Sequence, residues 1–80
     1  MEQIGERITV LASFGSDTKL KPLKFKWSNR TVVIKEITYF WQDREGEARV
    51  YHFSVTDGSA VYEISFNSLS IVWVLERLEA

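Results

Sequence analysis

The sequence predicts an all-β domain: an antiparallel meander of five or six strands curled into a small open or closed barrel. Apolar and polar residues alternate through several stretches, short turn signals separate those stretches, and the registers set by the turns place apolar residues opposite one another. Pairing across Ser28-Asn29 sets Phe25 beside Val32 and Leu23 beside Ile34. Pairing across Asp57-Gly58 sets Val55 beside Ala60, Phe53 beside Tyr62 and Tyr51 beside Ile64. A third turn at Ser68-Leu69 sets Phe66 beside Ile71, Ile64 beside Trp73 and Tyr62 beside Leu75, and a shift of two residues keeps the same faces. A slip of one residue would turn each strand inside out, so agreement among three separate turns specifies one buried face.

The first strand is expected over residues 7–14, where Ile8, Val10, Ala12 and Phe14 alternate with Arg7, Thr9 and Ser13. Residues 15–21 read as a polar crossing at one end of the sheet, and Pro22 opens the second strand, 23–27. Ser28-Asn29 then forms a tight hairpin, since asparagine tolerates the positive φ it needs. The third strand, 30–42, changes parity. Val32 and Ile34 share a face, whereas Ile37, Tyr39 and Trp41 have the opposite spacing, so a bulge at Lys35-Glu36 is expected to bring both sets inward and bend the strand. Residues 43–47 form a charged loop around Gly46. The fourth strand points Tyr51, Phe53 and Val55 inward, and the fifth does the same with Ala60, Tyr62, Ile64 and Phe66. The last strand, 70–78, is apolar on both faces, with Ile71, Trp73 and Leu75 on one and Val72 and Val74 on the other. The second face therefore needs a cover.

Eighty residues make one domain, and a chain of this size buries only about 60–65% of the surface exposed when unfolded. Eleven aromatic residues, Trp27, Trp41 and Trp73 among them, supply the bulk that so small a core requires. With no cysteine there is neither a disulfide framework nor a thiolate metal site, as expected of a reducing cytosol. Residues 1–7 are charged and lack the apolar run of a signal peptide, and no stretch approaches a membrane span. A cytoplasmic protein with no membrane association is expected.

The formal net charge of −1 conceals an asymmetry: residues 18–35 hold six of the ten cations and no carboxylate, while all eleven carboxylates lie elsewhere. A basic hairpin on an acidic body has two readings. Alternate lysines protect an exposed sheet edge from aggregation, or they meet an anionic partner.

The chain is poor in catalytic chemistry. One histidine and no cysteine remove cysteine nucleophiles, paired-histidine metal sites and zinc clusters, and the serines lack a base and an orienting group. The predicted register places His52 opposite Glu63 on the outer face, a cross-strand pair. The carboxylates of 43–47 are too few for a calcium loop, and the glycines at 5, 15, 46 and 58 stand alone, so no phosphate loop exists. Neither enzymatic activity nor a cofactor is expected.

Two binding surfaces follow from the registers. If the charged loop pairs Trp41 with Arg49, Phe40 faces Val50, Val50 neighbours Ser65, and Ser65 neighbours Val72, with Val61 and Val74 diagonal to them. Such an outward apolar strip implies a protein partner or self-association, unless residues 1–20 cover it. The other surface is the basic hairpin, where Lys24, Lys26 and Arg30 point outward and Trp27 is either a core residue or a base-stacking platform for single-stranded nucleic acid. The leading expectation is a non-catalytic interaction or adaptor module; a single-stranded nucleic-acid-binding accessory is the alternative.

The order of these residues resembles a small bacterial family of uncharacterised proteins, some associated with translesion-polymerase-like repair proteins. The likeness runs through Gly5-Glu6-Arg7-Ile8-Thr9-Val10, Pro22-Leu23-Lys24-Phe25-Lys26-Trp27, Asn29-Arg30, Ile34-Lys35-Glu36-Ile37 and Trp41. It continues in Tyr51, Phe53 and Val55, then Val61-Tyr62-Glu63-Ile64 and Trp73-Val74-Leu75-Glu76-Arg77. The resemblance implies a shared fold and a link to repair, and it brings no catalytic motif.

Overall fold

A computed structural model describes residues 2–15 and 19–80. Seven antiparallel strands form one sheet: β1 (Glu2–Phe14), β2 (Leu20–Trp27), β3 (Arg30–Val33), β4 (Glu36–Glu45), β5 (Ala48–Thr56), β6 (Val61–Asn67) and β7 (Val72–Glu79). The described residues contain no helix, and so none long and apolar enough to cross a membrane. The strand order is β3-β2-β1-β7-β6-β5-β4, and the sheet is not closed.

The expected count of five or six strands is corrected to seven because the long third strand divides. Val33 ends β3 and Glu36 begins β4, and the Ile34-Lys35 link joins opposite edges of the sheet. The Ile34 N–H donates to the Leu23 carbonyl on β2 at 3.0 Å, and the Lys35 N–H donates to the Thr56 carbonyl on β5 at 2.8 Å. Two consecutive amides thus hold the two ends of the sheet near one another, which is possible only if the sheet curls.

The first strand begins earlier than expected, at Glu2, and carries an irregularity between Gln3 and Glu6 where Gly5 takes φ 71°. A bulged position with positive φ favours glycine, which has no Cβ to clash. β2 likewise begins at Leu20, and Pro22 lies inside it, buried opposite Ala12. Proline is tolerated there because β3 pairs only with Lys24 to Trp27, leaving no ladder bond for Pro22 to donate. Of the polar crossing expected over 15–21, residues 16–18 lie outside the described residues.

The Ser28-Asn29 register is found as expected, with Phe25 opposite Val32 and both turn residues at positive φ, 53° and 62°. The other two turns hold the predicted faces in a register shifted by two, until an irregularity between Glu63 and Ile64 turns the end of β7 and sets Leu78 opposite Tyr62. Val55 faces Tyr62 rather than Ala60, and Phe53 faces Ile64, because Asp57 organises a four-residue loop. Its Oδ1 accepts the N–H groups of Ser59 and Ala60 at 2.9 and 2.8 Å, while Oδ2 accepts the Tyr62 hydroxyl at 3.2 Å. Asn67 does the same for the last turn, accepting from Leu69 and Ser70, so Phe66 faces Trp73 and Ile71 leaves the strand. A two-residue shift preserves parity, and Phe25, Val32, Phe53, Val55, Tyr62, Ile64 and Leu75 are buried together on the expected face, while Leu23 and Ile71, expected inward, are exposed.

Candidate functional site

β4 departs most from the sequence expectation, and the candidate site follows from it. Parity changes between Ile34 and Ile37, as predicted, and then changes again. A register shift between Ile37 and Tyr39 leaves Thr38 as an extra residue, its hydroxyl donating to the Ser54 carbonyl at 3.0 Å. Beyond this bulge Phe40 turns inward beside Phe53, with ring centroids 5.2 Å apart. Tyr39 and Trp41 turn outward, contrary to the expectation for both. Trp41 stacks on His52 at 4.9 Å with 6° between the ring planes, and Tyr39 leans on Trp41 at 5.4 Å.

The outer apolar strip is thereby dismantled. β4 pairs through to Glu45 opposite Ala48, so the expected loop 43–47 shrinks to the turn Gly46-Glu47, and Phe40 no longer faces Val50. Val50 lies between Asp43 and Asn67, and only 6% of it is exposed. Val72 follows Asn67; Val74 follows Ser65; Val61 sits between Thr56 and Glu79. On this outer face the valines are separated across the strands by polar residues, Asn67 between Val50 and Val72 and Ser65 beside Val74, and Val61, Val72 and Val74 are half-buried. The N-terminal segment is not a cover, since β1 is itself a member of the sheet between β2 and β7.

His52 faces Ser65 rather than Glu63 and reaches Glu63 diagonally at 3.8 Å, leaving its buried Nδ1 without a hydrogen bond. Glu63 is satisfied by Arg77 at 2.8 Å, and Ser65 donates to Glu76 at 2.7 Å. The bulge between Glu63 and Ile64 places Glu76 and Arg77 over that row. These contacts make a structural polar cluster, and the apolar cavity of the fold lies away from it.

That cavity opens between the two sheet edges and has a volume of about 880 Å³. One wall is Phe14, Leu20 and Lys21 on β1 and β2; the other is Ile37, Phe40 and Gln42 on β4. Tyr51, Phe53 and Phe66 form the floor, and Lys19, Ser68 and Ile71 stand at the rim. The cleft exists because β3 is short: it leaves the start of β2 unpaired on one side, facing the free edge of β4 across open space. Phe40 and Phe14 remain 46% and 70% exposed there. Ile71 holds φ 60°, a strained value for a β-branched residue, at the mouth of this cleft.

Sequence reasoning identified the floor as core but placed Phe40 on the opposite, outer face and missed Phe14, Leu20 and Ile71 as a surface. The available signal was the spacing of three between Ile37 and Phe40, which marks a second change of parity. Lys24, Lys26 and Arg30 are exposed as expected. Trp27 is committed elsewhere: its indole N–H donates to Glu6 at 2.7 Å and Arg30 caps its ring at 5.8 Å. Among the described residues no group of three histidine, cysteine, aspartate or glutamate side chains is arranged to hold a metal ion. No family model, curated protein or solved structure matches this chain.

Proposed function

We propose that the protein is a non-catalytic interaction module, an open β-barrel whose partner protein is received by the cleft between β2 and β4. The observation that carries this reading is an apolar cavity of about 880 Å³ whose aromatic wall residue Phe40 stays 46% exposed. Apolar side chains left open on so small a domain mark interfaces, and barrel mouths are favoured places for them. The outer strip of Val50, Val61, Val72 and Val74 is not the interface in this reading, because polar neighbours interrupt it. Phe40 keeps its interface role from another face.

The test is affinity capture with the tagged full chain, comparing wild type with Phe40→Asp. A protein enriched on the wild type and lost from the variant, at equal folded fraction by circular dichroism, is the expected result. Equal capture by both chains overturns the cleft as the interface. Self-association is read from sedimentation velocity across a hundredfold range of concentration.

A nucleic-acid reading, consistent with the resemblance to repair-associated proteins, is favoured by one observation: Lys24, Lys26 and Arg30 are all exposed on one hairpin. It lacks a stacking platform there because Trp27 is engaged. Salt-dependent retardation of labelled single-stranded DNA, abolished by K24E/K26E, supports it; no retardation at low salt eliminates it.

A further inference from the structure

We infer that the occupant of the cleft is an extended segment of a partner protein that adds to the free edge of β4, with its alternate apolar side chains in the cavity and basic residues flanking them. The inference rests on the proposed interaction role and specifies its chemistry. β4 is the last strand of the sheet, so among the described residues the backbone groups of its outer side have no strand partner. Natural sheets protect such an edge with charges, proline, bulges or short length. Here the bulge at Thr38 and the charges of Glu36, Asp43, Arg44 and Glu45 guard only the ends. The middle, Tyr39 to Gln42, is uncharged, pairs regularly with β5 and carries Phe40 toward the cavity. An edge protected at both ends and bare between them fits a strand of about four to six residues, the usual strand length.

The facing wall explains why the chain's own sheet leaves the place empty. Leu20, Lys21 and Pro22 have partners on β1 but none from β3, and Pro22 has no N–H to offer a newcomer. The added strand therefore takes its ladder from β4 and only side-chain contact from β2. Charge selects the segment. Glu36, Asp43 and Glu45 against Arg44 leave β4 with an excess of carboxylates, all of them exposed, whereas Lys19 and Lys21 stand on the opposite side of the cleft, so the basic ends of the segment belong along β4 and not against β2. A second copy pairing antiparallel about the middle of Tyr39 to Gln42 would set Glu36 of each copy opposite Glu45 of the other, whereas a segment with lysine or arginine at its ends complements these carboxylates.

The experiment selects peptides from a phage-displayed random twelve-residue library on the full chain, with counter-selection on Phe40→Asp. Expected are sequences with alternating apolar residues between basic ends. Synthetic copies should bind the wild type at least about tenfold more tightly than a copy N-methylated at the amides that bond to β4, the loss of one or two hydrogen bonds. N-methylation at the intervening amides should leave affinity unchanged. D43K/E45K should weaken binding, and Tyr39 to Gln42 amides should gain protection from hydrogen exchange when peptide is bound. Peptides that bind the cleft regardless of N-methylation overturn strand addition while leaving the interaction module standing. No enrichment over Phe40→Asp also overturns it, and capture of a folded partner that Phe40→Asp loses would then show that the module reading survives. A concentration-dependent dimer abolished by Phe40→Asp overturns it in favour of a second copy.

Discussion

Asp57 shows how one side chain sets a register. Its carboxylate accepts the Ala60 and Ser59 amides, which hold its pKa below the ordinary carboxylate value, and the Tyr62 hydroxyl adds a smaller effect in the same direction. A depressed carboxylate stabilises the fold above the unfolded value of about 3.9, and that contribution is lost as pH falls through the folded value. Asp57→Ala is expected to cost about 1–2 kcal/mol in urea denaturation at pH 7, with a smaller deficit near pH 3. Tyr62 is displaced upward, first by burial and then by the charge of Asp57. The unfolded chain releases its phenolic proton first, so stability falls as pH rises above about 10. Ile71 offers the opposite case: at φ 60° a side chain branched at Cβ is strained. Ile71→Gly is expected to raise stability by about 1 kcal/mol, measured by the same denaturation.

At the scale of elements, strand length and bulge position decide which side chains face the cleft. β3 ends after four residues and β4 inserts Thr38, and together these turn Phe40 from the outer face into the cavity. The consequence separates two substitutions that look alike in sequence. Val50→Asp buries an unpaired charge at a position 6% exposed and is expected to destabilise by about 3–5 kcal/mol. Phe40→Asp, at a position 46% exposed, is expected to cost under about 1.5 kcal/mol and to abolish partner capture. Thermal melts of both variants check the contrast. Comparable losses would return Phe40 to the core.

For the whole molecule, curling joins what the chain separates. The core draws on five strands, with Phe25 meeting Tyr62 edge-on at 5.3 Å across the interior and Phe53 packing on Trp73 at 5.8 Å. Phe53→Ala is expected to cost about 3–5 kcal/mol, comparable to the entire stability of a small domain, so loss of the cooperative transition is its signature. The two sheet edges converge at Ile34-Lys35 and part below it, and the candidate site is the space where they part.

The sequence alone determined the all-β class and most of the core face, because side chains alternate with period two and a register error of two residues leaves every face unchanged. Phe53 and Tyr62 are buried as their alternation requires, although neither has the partner first assigned to it. Tertiary structure decided the division of the long strand, the second parity change at Thr38 and hence the cleft. Those depend on where β4 finds β5 and how far β3 follows β2. Such pairings join residues distant in sequence, and no local pattern encodes the empty place between two edges.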